Sequence, residues 1–138
     1  MKFFVSILVV LTSANAFAGY ACTSKDGKTE IYIAGKSTIG EVAYMESKEV
    51  TEHYQTNHGL EIKGLDTVID PETGRAVSSV KTNAAQETVY NFLMASQVKS
   101  TDTVWGLEFN ATTKEASFVD QTGLRFSWKD LNCETGEL

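Results

Sequence analysis

Two cysteines, Cys22 and Cys133, are the only ones in the chain of 138 residues, and they lie toward its two ends. In an exported protein an even number of cysteines indicates disulfide bonding, and two cysteines allow one intramolecular bridge. Their spacing lacks the Cys-x-x-Cys pattern of redox-active thiols, so a structural bridge is the better interpretation. Because bridged cysteines need Cα atoms within about 7 Å of each other, we predict a fold whose two ends meet.

The start of the chain has the pattern of a cleaved signal peptide. Lys2 precedes the uncharged, mostly apolar run 3–11, and a small-x-small site ends at Ala18. This order of basic, apolar and small residues is typical of a secretory signal, and the apolar run is shorter than the about 20 residues that span a bilayer. We therefore expect residues 1–18 to be removed and residues 19–138 to form a single β domain, exported to the periplasm or the cell exterior, with no transmembrane segment.

The charge balance narrows the classes of partner. The full sequence has 12 Lys and Arg against 18 Asp and Glu, and without Lys2 the balance is 11 against 18, a net charge of −7. Proteins that bind nucleic acids or anionic lipids use clustered Lys and Arg, so this balance disfavours both. It is compatible with a basic protein partner, although a net charge of this size also serves solubility.

Short runs of β-branched and aromatic residues alternate with turn signals along the chain, most clearly at 104–109, 115–119 and 124–128. Their period-two pattern predicts three half-buried strands of an antiparallel meander. The apolar positions form one predicted core face: Trp105, Leu107, Phe109, Phe118, Phe126 and Trp128. We expect this face to pack against residues of the N-terminal strands: Ile31, Ile33, Val42 and Tyr44. The predicted fold class is mainly β, one antiparallel barrel or sandwich of about eight short strands.

The N-terminal half carries further strand patterns separated by turn signals. We predict strands at 29–33, 42–45, 50–54 and 60–63. A hairpin loop is expected at 57–59, and Gly64 shifts the apolar phase before the run 65–69, as a β-bulge would. The segment 70–74 contains the single proline of the chain and predicts a turn.

The segment 84–95 fits two patterns. As a helix, it has Asn83 as an N-cap and an apolar stripe at helical spacing. As a strand, it places Tyr90, Phe92 and Met94 on one face. The neighbouring strands favour the strand, and a helix at 84–95 remains the alternative.

The two histidines, His53 and His58, are the natural candidates for a metal site. On one continuous strand they would face opposite sides, and a loop at 57–59 would leave His58 at its tip. Zinc would still need a third ligand, such as Glu52 or Glu61. We therefore predict that both histidines are solvated residues at a strand edge and a turn, and that the chain binds no metal.

Catalytic motifs are also absent from the sequence. There is no Gly-x-Ser-x-Gly elbow for a nucleophilic serine, and we expect neither cysteine to be free. Carboxylate pairs such as Glu49 and Glu52 arise readily in a chain with this many acids, so they do not predict a glycosidase. No cofactor-binding motif is present either. Asn110 begins a glycosylation sequon, which matters only in a eukaryotic secretory pathway, and a turn explains it equally well.

The two ends of the domain resemble those of a known family. Tyr20-Ala21-Cys22, Leu131-Asn132-Cys133 and the strand 114–118 are similar to segments of the exported C-type lysozyme inhibitors of Gram-negative bacteria. The resemblance implies a small β-barrel with terminal cysteines that blocks the lysozyme cleft. The glycine of that family's Lys-Gly-x-Glu-Ala strand and its Ser-Gly-x-x-Tyr inhibitory loop have no counterpart here. We therefore carry no inhibitory residue over to this chain.

Three functions from different classes follow as hypotheses. The first is an exported, non-enzymatic binding domain with a protein partner, including inhibition of a basic enzyme such as lysozyme. The second is a small barrel that carries an apolar ligand, and the third is an enzyme. A barrel interior filled with side chains would favour the first, an open apolar cavity the second, and polar groups that converge in a cleft the third.

Overall fold

The computed structural model describes residues 19–36, 38–97 and 103–136, and the predicted signal peptide lies outside them. This part of the chain forms ten strands and one helix. The strands are β1 (Gly19–Thr23), β2 (Thr29–Lys36), β3 (Gly40–Ser47), β4 (Leu65–Thr67), β5 (Ser78–Thr82), β6 (Thr88–Ser96), β7 (Val104–Asn110), β8 (Glu115–Val119), β9 (Arg125–Trp128) and β10 (Asn132–Gly136). The helix, α1 (Lys48–His58), follows β3. No helix in the described residues is long and apolar enough to cross a membrane.

All strands pair antiparallel in one sheet, in the order β10-β1-β2-β3-β4-β6-β7-β8-β9. The strand β5 pairs with the first half of β6, and β4 pairs with its last residues. The sheet curls into a half-barrel. The predicted mainly β, antiparallel fold is therefore confirmed, with ten strands instead of about eight.

The last stretch of the chain joins the two ends of this sheet. Its first part, β9, pairs with β8, and its second part, β10, pairs with β1. Between them Asp130 has a left-handed backbone conformation with φ of 56°, which turns the chain. The N–H of Leu131 then donates to the carbonyl of Lys114 at 3.0 Å, so the connection itself is held against the turn between β7 and β8.

The predicted disulfide is confirmed. Cys22 of β1 and Cys133 of β10 lie directly opposite each other in the antiparallel register. Their sulfur atoms are bonded, their Cα atoms are 4.0 Å apart, and the bridge spans 111 positions of sequence. The two ends of the domain therefore meet in adjacent strands, as the two cysteines predicted.

The interior is filled by inward-facing side chains from all parts of the sheet. Nine large apolar side chains of the strands are at most 2% exposed: Ile31, Ile33, Met45, Leu65, Met94, Trp105, Leu107, Phe109 and Phe118. The predicted core face of the C-terminal meander is confirmed at five of its six positions, and Phe126 is only partly buried. Aromatic contacts link the layers, such as the stacked pair Trp105 and Phe118 with ring centroids 5.7 Å apart.

The predicted inward positions of β3 are wrong by one residue. Val42 and Tyr44 face outward, while Ala43 and Met45 lie in the core opposite Ile33 and Ile31. The segment 42–45 is apolar at every position, so its pattern alone does not fix which alternate residues face inward. The register of β3 against β2 fixes which of these residues face inward.

The predicted strand at 50–54 is also wrong, because these residues lie in helix α1. The Oγ of Ser47 accepts a hydrogen bond from the N–H of Val50 at 3.2 Å and caps the helix start. Gly59 ends it in a left-handed conformation with φ of 62°. Val50 and Tyr54 are the buried residues of the helix, four positions apart on one face. The residues 60–63 that follow form no strand.

Of the two patterns predicted for 84–95, the structure contains the strand, β6, and none of these residues is helical. The Oδ1 of Asn83 accepts from the N–H groups of Ala85 and Glu87 at 2.9 and 3.0 Å. Asn83 therefore closes the tight turn between β5 and β6 instead of capping a helix, which is a common alternative use of asparagine. The predicted turn at 70–74 is present.

Candidate functional site

The two histidines lie together on α1, not on a strand and a loop as predicted. Their ring centroids are 5.8 Å apart, and each contacts an aromatic ring: His58 stacks on Tyr54, and His53 meets Phe126 edge-on. The Nδ1 of His53 is 3.1 Å from the Nδ2 of Asn57. In the described residues no group of three or more His, Cys, Asp or Glu is placed to hold a metal ion.

Tyr54 connects α1 to the turn between β8 and β9. Its hydroxyl donates to the Oδ2 of Asp120 at 2.6 Å and accepts from the Nε1–H of Trp105 at 3.2 Å. Burial opposes ionisation of Asp120, but hydrogen bonds from Thr122, Tyr54 and Leu124 outweigh it and lower its pKa to about 2. Burial and the bond to Asp120 raise the pKa of Tyr54 to about 12. Through these two hydrogen bonds, Tyr54 ties α1 to the turn between β8 and β9 and to Trp105 of β7.

Among the described residues, aromatic side chains pack closely on the inner face of the sheet. Its widest side chains, Trp105, Phe109 and Phe118, are at most 1% exposed and stand against other rings. The apolar atoms that a carrier would turn toward its ligand are therefore in contact with one another. The barrel interior serves the fold.

Unlike the apolar inner face, the outer face of β2, β3 and β4 carries tyrosines and carboxylates. Tyr32 and Tyr44 lie opposite each other in register, with ring centroids 6.3 Å apart and planes inclined by 32°. Three carboxylates surround the pair, because Glu30 lies opposite Glu46, and Asp66 of β4 lies opposite Tyr44. Both rings are partly exposed to solvent. We call these five residues the tyrosine face.

The tyrosine hydroxyls are fixed by the neighbouring carboxylates. Tyr32 donates to the Oε1 of Glu30 at 3.1 Å, and Tyr44 donates to the Oε2 of Glu46 at 2.8 Å. Burial, together with these hydrogen bonds, raises the pKa of each tyrosine to about 12. Both hydroxyls therefore stay protonated at neutral pH and hold the two glutamates in place.

Gly64 allows Tyr44 to take its position. A Cβ atom on Gly64 would lie 2.6 Å from the Oη of Tyr44 and 2.8 Å from the Oε1 of Gln97. Gln97 in turn donates to the Oδ2 of Asp66 at 2.7 Å. The predicted bulge at Gly64 is therefore wrong. This glycine lies in the irregular segment before β4, where a Cβ atom would force the side chains of Tyr44 and Gln97 to shift.

A surface groove of about 600 Å³ adjoins the tyrosine face, between the start of α1, the end of β3 and the segment before β4. Its floor contains the apolar residues Met45, Ile62 and Leu65. Its rim carries carboxylates and amines in equal number: Glu30, Glu46, Glu52, Lys28, Lys48 and Lys63. Since Tyr44 and Glu46 belong to both, the groove and the tyrosine face form one continuous surface.

The sequence pattern did not predict this surface. Glu30 and Tyr32 could have been placed on it, because the inward positions of Ile31 and Ile33 leave their neighbours facing outward. Tyr44 was predicted to lie in the core, and only the register of β3 against β2 brings it beside Tyr32.

No protein-family model matches the chain, and neither a curated protein nor a solved structure matches it. The comparisons therefore assign no family.

Proposed function

We propose that this chain is an exported, non-enzymatic domain that binds a protein partner through the tyrosine face and the adjoining groove. The observation that carries the proposal is the pair of partly exposed tyrosines on the outer side of a packed sheet. Tyrosine is enriched at the centres of protein interfaces, because it presents a large rigid ring and a polar end at low entropic cost. Core packing does not require aromatic residues at these outward positions.

The other two hypotheses have less support. A carrier needs an apolar cavity, whereas Trp105, Phe109 and Phe118 fill the interior. An enzyme needs converging groups with pKa values near neutrality, whereas the hydrogen-bonded pair Tyr54 and Asp120 has its pKa values shifted to about 12 and about 2. Export is supported by the bridge between Cys22 and Cys133, since disulfides persist in oxidising compartments.

Inhibition of a lysozyme is the second candidate function. Its support is the pairing of β1 with β10 through the disulfide in a curled antiparallel sheet. This is the scaffold that the resemblance to C-type lysozyme inhibitors implies. A basic enzyme would also suit the acidic net charge, because opposite charge accelerates association.

Native mass spectrometry of the domain purified from its own envelope tests the proposal. We expect a complex with one protein at fixed stoichiometry, and we expect Tyr44→Ala to reduce the occupancy of that complex. A domain that carries a small apolar molecule would contradict the proposal in favour of a carrier. A domain that is free of partners in every preparation would contradict it outright.

A lysozyme activity assay separates the second candidate from the first. We expect an inhibitor to lower the rate of C-type lysozyme in proportion to the amount of domain added. The control is the same lysozyme with acetylated lysines, which keeps its shape and loses positive charge. An unchanged rate at saturating domain would remove lysozyme inhibition and leave the general binding function.

A further inference from the structure

Carboxylates predominate among the described charged side chains at the outward positions of β1, β2, β3, β4 and β10. Among the side chains described there, four are carboxylates, Glu30, Glu46, Asp66 and Glu134, and none is a lysine or arginine. Lys28, Lys48 and Lys63 lie along the adjoining groove, whose rim also includes Glu30 and Glu46. Three of the four outward carboxylates, Glu30, Glu46 and Asp66, belong to the face that holds the two tyrosines.

We propose that the tyrosine face receives an arginine side chain of the protein partner, with the guanidinium stacked on Tyr44 and its N–H groups donating to Glu46. The inference rests on the proposed binding function and names the chemistry of the partner. A guanidinium is planar, stacks on aromatic rings and matches a carboxylate with two parallel donors. Tyr44 and Glu46 present these two complements next to each other, two positions apart on the same side of β3.

The carboxylate of Glu46 keeps capacity for such donors. It accepts one hydrogen bond, from Tyr44 to Oε2, and it is exposed to solvent. An ionised carboxylate accepts about four hydrogen bonds. A guanidinium that approaches along the ring of Tyr44 therefore meets a charged acceptor whose position is already fixed.

The site is also organised before binding. Tyr44 is held between its bond to Glu46 and the backbone of Gly64, and Asp66 is held by Gln97. Side chains that are already ordered lose less entropy on association, so more of the contact energy appears as affinity. The fixed position of the Tyr44 ring therefore contributes to binding of the guanidinium.

An NMR titration with defined peptides tests the arginine site. The probe is Ac-Gly-Arg-Gly-Arg-Gly-amide, with the citrulline peptide as a neutral control of the same shape and the lysine peptide as a control of the same charge. We expect saturable amide shifts at Tyr32, Tyr44 and Glu46 with the arginine peptide and weaker ones with the others. Equal binding of the lysine peptide, or shifts spread over all surface carboxylates, would overturn the inference.

Variants of the face sharpen the test. Tyr44→Ala should weaken arginine-peptide binding about fivefold and Glu46→Gln about tenfold, whereas Tyr44→Phe keeps the ring and most of the affinity. Gly64→Ala retains every side chain of the face and displaces Tyr44, so it should also weaken binding. Glu108→Gln, at an exposed carboxylate on the outer face of β7, is the matched control and should change nothing. An equal loss in Glu108→Gln would show unspecific attraction.

Retention of the native partner by the wild-type domain and its variants distinguishes failure of the arginine site from failure of the proposed binding function. If the wild-type domain and Glu46→Gln hold that partner equally well, the arginine site is wrong and the binding function stands. If the wild-type domain holds no partner at all, the proposed function itself fails. Loss of the partner in Tyr44→Ala and Glu46→Gln, with retention in Glu108→Gln, is the result we expect.

Discussion

The inner and outer faces of β2 and β3 are built from alternate residues of the same two strands, yet different forces hold them. On the inner face Ile31 and Met45 are fully buried, and their energy comes from apolar contact. On the outer face Tyr32 and Tyr44 are fixed by hydrogen bonds to charged neighbours and stay partly exposed. Substitutions on the inner face should therefore cost stability, and substitutions on the outer face should cost binding.

The largest effect should come from the disulfide, which joins β1 to the edge strand β10. The double variant Cys22→Ser, Cys133→Ser should lose about 4–5 kcal/mol of unfolding free energy, because the bridge restricts a very long loop in the unfolded chain. Urea denaturation measures the loss, and the reduced wild-type domain should show the same value. A loss below about 1 kcal/mol would mean that strand pairing alone keeps the ends together.

The next largest effect should follow truncation inside the core. Phe118→Ala should cost about 3–5 kcal/mol, because Phe118 is 0% exposed and stacks on Trp105. Phe126→Ala is the matched comparison on the neighbouring strand and should cost about half as much, since Phe126 is only partly buried. Equal losses measured by chemical denaturation would show that the difference in burial between the two sites has no energetic meaning.

A smaller effect concerns the bond that ties α1 to the sheet. The folded pKa of Asp120 is about 2, below the ordinary 3.8, so its contribution is complete above pH 4 and is lost as the pH falls toward 2. Because Asp120 is only partly buried, we expect the loss to be about 1 kcal/mol. Unfolding by urea between about pH 5 and pH 2 measures it. Tyr54→Phe removes the donor and should reduce this pH dependence, and an unchanged profile would contradict the assignment.

The smallest loss of stability should occur at the tyrosine face. Tyr44→Ala should change the unfolding free energy by less than about 1 kcal/mol, because its ring is partly exposed and its hydrogen bond lies at the surface. The same variant should weaken binding of the protein partner. A large destabilisation together with unchanged binding would reverse the distinction between the two faces.

The parts of the fold that the sequence predicts are those in which only one pattern fits. In β7 the polar or small residues Gly106 and Glu108 separate Trp105, Leu107 and Phe109, so the inward side is unambiguous. The bridge between Cys22 and Cys133 is similarly fixed, because no other cysteine competes for either partner.

The errors fall where two patterns compete. The residues at 50–54 favour a strand by propensity. They form a helix because the N–H of Val50 bonds to the capping Ser47 and because Tyr54 is buried against the sheet. At β3 the apolar run satisfies both alternations, and pairing with β2 selects one. The tyrosine face depends on that selection, and so it could not be predicted without the long-range register.

The joined ends of the domain have a mechanical consequence. Tension applied at Gly19 and Gly136 acts on two residues that are themselves paired. Within three residues of each end it reaches the covalent bond between Cys22 and Cys133. The force then passes across that bond, and the remaining strands, with the tyrosine face among them, carry none of it. A load that would peel an ordinary sheet apart strand by strand leaves the tyrosine face of this one unstretched.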